Sequence, residues 1–247
     1  DAAYHFDKYK RGYDKLINIW GADHIGYIPR MKSIIHVLSN KKDYLEVITC
    51  QIVKLIKNKK NLKMSKREGN FITLQEVHKS VGKDPLRYFM ISTKCQTSMD
   101  FDMDRVIEKN KDNPAFYCQY AYARASSVIN KSQSYKIFKN FINDLDSFDF
   151  SLMSLHERNI ILKLLSWPYL LNHTLILNQP HKITNYLEDI CSEFHSFWNK
   201  GKDDHSLRII DEDNYNKTLT KLIWIDSFRI MLKSAFNIIG IDSPEHM

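Results

Sequence analysis

The sequence predicts an α/β region followed by an all-α region. Three observations carry this expectation. Up to about Ser92, short apolar runs of strand length alternate with helical patterning. Beyond Asp100, apolar residues recur at steps of three and four. The later segments are also punctuated by helix-capping residues and prolines. The division is placed near residue 110, giving regions 1–110 and 111–247.

Leu16-Ile17-Asn18-Ile19-Trp20 reads as a buried strand ending at Gly21. From Ile28 to Leu38, the residues Met31, Ile34, Ile35 and Leu38 share one helical face. Leu45 to Val53 is rich in β-branched residues and reads as a second strand. A helix crossing between two such strands is a unit of a parallel, doubly wound sheet, in which ligands gather beyond the strands' carboxyl ends. Gly21 to Tyr27 falls at such an end. In the second region, Asn113-Pro114 puts a capping residue before proline at the first helical position, ahead of Tyr117, Ala121, Arg124 and Val128 at helical spacing. Ser154 and Glu157 form a capping box before Ile160, Ile161, Leu164 and Leu165, and Pro168 interrupts that helix. Between Pro180 and Gly201, the residues Ile183, Leu187, Ile190, Phe194 and Phe197 form an amphipathic stripe. The last helix, from about Lys217 to Ile239, buries Leu222, Ile225, Leu232, Phe236 and Ile239 and stops at Gly240. A bundle of four or five helices is expected, with Ser132 to Asp149 as a polar link.

Among 247 residues, 43% are apolar, which is ample for a packed core. No run of about eighteen apolar residues occurs, and the N-terminal stretch lacks the order of a secretory signal. The expectation is therefore a cytoplasmic protein that neither spans nor binds a membrane. Cys50, Cys95, Cys118 and Cys191 fit no zinc spacing and no disulfide framework, so no metal site is expected. The 36 Lys and Arg exceed the 29 Asp and Glu, and this net charge of +7 favours encounter with a polyanion.

Two segments carry chemistry. In Lys63-Met64-Ser65-Lys66-Arg67, two lysines flank Met-Ser in a polar loop. Each ammonium is a compact charge on a flexible stem, able to follow charge as it builds on a pyrophosphate leaving group. The second segment, Gly21-Ala22-Asp23-His24-Ile25-Gly26-Tyr27, follows a strand and opens a helix, so its amides and the positive helix end face whatever binds there. Asp23 is placed to accept hydrogen bonds from both hydroxyls of a ribose, with His24 beside it. A second reading stays open, in which Gly21 ends the strand and Asp23 caps the helix.

With Gly69-Asn70-Phe71-Ile72-Thr73-Leu74 and Val81 to Phe89 after it, the lysine pentamer resembles the KMSKS region of class I aminoacyl-tRNA synthetases. Ala2 to His5, Lys8 to Asp14, Trp20 to Tyr27, Lys63 to Arg67 with Gly69-Asn70, Asp112 to Arg124 and the ending Ile238 to Met247 together resemble the bacterial type of arginyl-tRNA synthetase. The resemblance implies the C-terminal half of a Rossmann-like class I catalytic domain followed by a helical-bundle anticodon-binding domain. It implies ATP-dependent attachment of L-arginine to arginine-isoacceptor tRNA, Mg2+ accompanying the ATP, and a monomeric state. By the same resemblance Lys63 and Lys66, with Ser65 between them, stabilise the phosphates. Asp23 faces the nucleotide ribose, Gly21 leaves room for adenosine, His24 lies beside the nucleotide, and Asp1 lies near the arginine guanidinium. Gln119, Tyr120 and Arg124 would meet tRNA, and Met247 would approach the anticodon loop. Aromatic faces beside polar and cationic groups suit unstacked RNA bases, although Tyr117 and Tyr120 at helical spacing also suit core packing.

One departure from that family is plain. The His-x-Gly-His type signature of class I synthetases is absent, and His24-Ile25-Gly26-Tyr27 resembles it only superficially. The expectation is a C-terminal portion that makes no adenylate by itself. A synthetase-derived tRNA-binding module without ligase activity is the alternative. A cysteinyl or methionyl synthetase is a further one, against which stand the lack of a cysteine cluster and the stretch Asn113 to Arg124.

Overall fold

The computed structural model describes residues 1–62, 71–133, 148–204, 207–211 and 213–247. These fall into two compact units, one built from 1–62 and 93–102 and the other from 71–92 and 103–247.

The first unit contains α1 (Ala2–Lys10), β1 (Leu16–Gly21), a 3-10 turn (Ala22–Tyr27), α2 (Ile28–Ser39), β2 (Leu45–Cys50), β3 (Val53–Lys57), β4 (Lys60–Asn61) and β5 (Met99–Asp102). As expected of a β-α-β unit, β1 and β2 pair in parallel, from Leu16 opposite Leu45 to Gly21 opposite Cys50. Leu16, Met31, Ile35, Tyr44 and Leu45 make the core between this pair and α2. Asn40 ends α2 in the left-handed conformation that asparagine tolerates, its N–H bonded to the His36 carbonyl.

The strand expected over 45–53 is in fact two. The Gln51 N–H donates to the Cys95 carbonyl at 2.7 Å, which takes the chain out of the β1–β2 ladder after Cys50. It re-enters as β3, which pairs antiparallel with β4 and parallel with β5. Asn58 and Lys59, both with positive φ, form the two-residue turn between β3 and β4, the geometry that matches strand twist.

The second unit contains α3 (Leu74–Val81), α4 (Lys83–Ser92), α5 (Pro114–Gln133), α6 (Leu155–Leu165), α7 (Trp167–Leu177), α8 (His181–Asp203) and α9 (Tyr215–Ile239). Packing thus divides the chain elsewhere than at residue 110, since 71–92 and 103–110 lie with the helices. α3 starts at a capping box of Thr73 and Glu76. Asn113 caps α5 as expected, its Oδ1 accepting from the N–H groups of Ala115 and Phe116. The Ser154–Glu157 capping box also forms, and buried Glu157 accepts in addition from the Trp224 indole N–H at 3.2 Å. The expected stripe of α8 is buried throughout: Ile183, Leu187, Ile190, Phe194 and Phe197 are at most 3% exposed. α5 packs on α8 and α9, and α6 fills the groove between α8 and α9. Ser132 is buried in α5, while most of the expected link to Asp149 lies outside the described residues.

Leu155–Leu177, which covers α6 and α7, is long and apolar enough by length and composition to cross a membrane, with mean hydropathy 1.3. It is interrupted between Leu165 and Trp167, where Ser166 turns the chain ahead of Pro168.

Candidate functional sites

In the α/β unit a cavity of about 440 Å3 opens beside α1, β1 and the 3-10 turn, lined by Asp1, Tyr4, His5, Lys8, Asn18, Trp20, His24, Tyr27 and Met31. A directional chain of hydrogen bonds builds its wall. Lys8 Nζ donates to Asn18 Oδ1 at 2.7 Å, the Asn18 amide donates to His5 Nε2 at 2.7 Å, and His5 Nδ1 donates to the Asp1 carbonyl at 2.8 Å. The histidine is therefore the Nδ1–H tautomer. Burial lowers its pKa, with the Lys8 charge adding to the effect. Asp1 and His24, two of the residues expected at the ligand, line this cavity. Tyr4, His5, Lys8 and Asn18 were not foreseen. The readable signal was Asn18, a polar residue that shares the inward strand face with Leu16.

Gly21 and Asp23 are coupled sterically. A Cβ at Gly21 would lie 2.4 Å from Asp23 Oδ1, the tip of an exposed side chain that would have to swing aside. Gly21 itself has an ordinary extended backbone. Asp23 makes no helix-capping hydrogen bond, and its side chain is 79% exposed. Its Oδ2 lies 3.5 Å from His24 Nε2, and the His24 ring packs edge-on to Trp20. The carboxylate is thus presented outward rather than consumed by the fold. Lys63, Ser65 and Lys66 lie outside the described residues. Among the described residues, no group of three His, Cys, Asp or Glu side chains could hold a metal ion.

In the helical unit an aromatic and cationic cluster forms where α5 meets α8. Phe116 stacks on Tyr120 at 5.9 Å, and Tyr120 stacks on His195 at 5.7 Å. The Arg124 guanidinium lies 4.3 Å over the Tyr120 ring and 5.2 Å from the Trp198 ring. Phe116, Tyr117, Tyr120, Arg124 and Trp198 are each half-buried: they pack inward and still present an edge. A cavity of about 410 Å3 continues this face between α5, α8 and residues 207–210, with Trp198, Lys131, Lys202 and Arg208 in its lining. Such alternation of π faces and cations suits a single-stranded polyanion.

Gln119, expected to meet RNA, is buried instead. Its amide donates to Asp84 Oδ2 at 2.7 Å and to the Asp242 carbonyl at 3.0 Å. Asp84 Oδ2 also accepts from the Asp242 N–H, Lys83 pairs with the Asp242 carboxylate, and Arg87 Nε donates to the Ile239 carbonyl. Gly240, with φ of 74°, turns the chain out of α9, and a Cβ there would meet Arg87 Nε at 2.4 Å. Gln119 is therefore a tie for the C-terminal tail, whose last residue, Met247, is exposed. The three partners lie far apart in sequence, and no local pattern announces them.

Residues 118–247 match the DALR anticodon binding domain family, and residues 20–140 match the class I (K) tRNA synthetases. The chain is 41% identical over 248 aligned positions to an arginine–tRNA ligase of Parvibaculum lavamentivorans and 42% identical over 248 to one of Pelagibacter ubique. Each match covers 100% of this chain and 42% of the relative, so the chain spans well under half the length of these curated relatives. A crystal structure from Campylobacter jejuni assigned as an arginyl-tRNA synthetase superimposes with a TM-score of 0.82 at 34% identity, covering 100% of this chain and 51% of that one. By the match over its helical bundle the chain belongs to the DALR anticodon binding domain family, and along its whole length it is similar to the C-terminal part of arginine–tRNA ligases.

Proposed function

We propose that this chain serves as the part of an arginine–tRNA ligase that carries the phosphate-binding loop, one wall of the nucleotide and amino-acid site, and the helices that grip the anticodon region of the tRNA. The observation that carries the reading is unbroken similarity to such ligases at 41% identity over the full chain. In the reaction, the arginine carboxylate attacks the α-phosphorus of ATP and pyrophosphate leaves. Lys63 and Lys66 would neutralise the charge that builds on the departing phosphates, with Ser65 between them. Asp23 would accept from the ribose hydroxyls, Gly21 and His24 would border the adenosine, and Asp1 would pair with the guanidinium, whose planar fork suits a carboxylate. The outward carboxylate of Asp23 and the shared cavity of Asp1 and His24 support these roles. Mg2+ would arrive with the ATP, and among the described residues no group of three His, Cys, Asp or Glu side chains could hold it.

On the RNA side, Tyr120 and Arg124 would meet the anticodon loop, and Met247 would reach it from a tail that Gln119 holds in place. We take the setting to be the cytoplasm and the state a monomer, which sedimentation at the mass of one 29.2 kDa chain checks. Filter binding tests the reading. Retention of arginine-isoacceptor tRNA over other tRNAs, with affinity falling steeply as salt rises, is the expected result. Equal retention of every tRNA and of DNA would contradict it. The chain by itself is expected to give no arginine-dependent ATP–pyrophosphate exchange.

A further inference from the structure

His195 lies on the buried face of α8, 3% exposed, between the rings of Tyr117 and Tyr120. Both ring nitrogens are engaged. Arg124 Nη1 lies 3.0 Å from Nδ1, and the Tyr117 carbonyl lies 3.1 Å from Nε2. A guanidinium only donates and a carbonyl only accepts, so the ring is the neutral Nε2–H tautomer with a bare Nδ1 facing Arg124. Arg124 Nη2 donates in turn to the Tyr120 hydroxyl at 3.2 Å. Two of the five N–H donors of Arg124 are thus engaged, its plane rests on Tyr120, and the side chain remains half-exposed. An unclamped arginine would lose rotamer freedom on meeting a ligand, and this one has already lost it.

We infer that His195 is a positioning residue for RNA binding, fixing the Arg124 fork over Tyr120 so that its outer edge is set for a phosphodiester of a single-stranded RNA loop. The inference rests on the tRNA-binding reading above and adds to it a residue whose part is played entirely through Arg124.

Two substitutions separate positioning from packing. In His195→Asn the amide oxygen lies near the place of Nδ1 and still accepts from Arg124. In His195→Gln the longer amide reaches the place of Nε2, keeps the Tyr117 bond and leaves Arg124 without its acceptor. Full-length chains carrying each change, together with Arg124→Ala and the pair His195→Gln/Arg124→Ala, are titrated with an arginine-isoacceptor tRNA transcript over a range of salt. Arg124→Ala is expected to weaken binding about tenfold, the worth of one hydrogen bond to a charged group, and to reduce the salt slope by about 0.7 to 0.9. His195→Gln should weaken binding by a smaller factor, about three- to fivefold, with the salt slope close to the parent's because the guanidinium charge remains, the pair should be no weaker than Arg124→Ala alone, and His195→Asn should stay within about twofold of the parent. Equal losses in the Asn and Gln variants, or no loss in Arg124→Ala, would overturn the inference while leaving tRNA binding intact. Failure of the parent chain to retain the transcript would sink the tRNA-binding reading, and this inference with it.

Discussion

The α/β unit and the helical unit hold their functional groups in opposite ways. In the α/β unit a core of Leu16, Met31, Ile35, Tyr44 and Leu45 supports one two-stranded parallel ladder, and Ile17 and Ile19 on its other face are exposed. Asp23 projects from it with most of its surface in solvent. In the helical unit Phe194 and Phe228 stack at 4.5 Å inside a continuous core, and Arg124 is clamped by three aromatic neighbours directly above that core. The contrast teaches that Arg124 is pre-organised by its buried neighbours, whereas the Asp23 carboxylate stands in solvent with little around it to fix its place. Chemistry that proceeds with a closing loop tolerates the second arrangement, and shape-dependent RNA recognition favours the first.

Truncating each core breaks or sharpens this comparison. Phe194→Ala should cost about 3–5 kcal/mol and lower the midpoint of the main helical melt followed by circular dichroism. Ile35→Ala, a loss of the usual 2–5 kcal/mol from the smaller core, should leave that melt in place and increase proteolysis between α1 and β2. A shared shift of both would show one cooperative body.

His195 provides the next largest effect. Burial, assisted by Arg124, lowers its pKa from 6.5 to about 4. The neutral ring therefore contributes stability that is fully present above the unfolded value and is lost as pH falls from about 6.5 toward 4, roughly 3 kcal/mol at most. Denaturant midpoints across that window should fall less in His195→Asn than in the parent, and parallel profiles would contradict the assignment. Glu157→Ala should cost about 2–3 kcal/mol in urea titration, because it removes the reciprocal cap of α6 and leaves the Trp224 N–H without its acceptor. Smallest of all, Asp23→Asn should change stability by less than about 0.5 kcal/mol in the same titration, as expected for an outward surface carboxylate, so any lost function there is chemical.

Where signals are local, the sequence was readable. The Asn113 cap, the Ser154–Glu157 box, the α8 stripe and the Gly240 stop all stand where spacing put them, because each depends on residues within one or two turns. The Thr73–Glu76 box before α3 is as local as these. The break after Cys50 was not legible, since it depends on a carbonyl of residue 95. Nor was the part played by Gln119, which reads as polar on a helix until Asp84 and Asp242 arrive from other elements. His195 sat unnoticed on an apolar stripe for the same reason, its partner being 71 residues away. Asp1 and His24 line one cavity, while the hydrogen-bonded chain from Lys8 through Asn18 to Asp1 that shapes it is visible only in three dimensions.

The most direct measurement is ultraviolet cross-linking of an arginine-isoacceptor tRNA, carrying 4-thiouridine in its anticodon loop, to the full chain, followed by peptide mapping. Cross-links to peptides of α5 and α8 containing Tyr120 and Trp198 are the expected result. Cross-links confined to the α/β unit, or loss of the α5 and α8 cross-links when excess unlabelled poly(U) is added, would contradict the account.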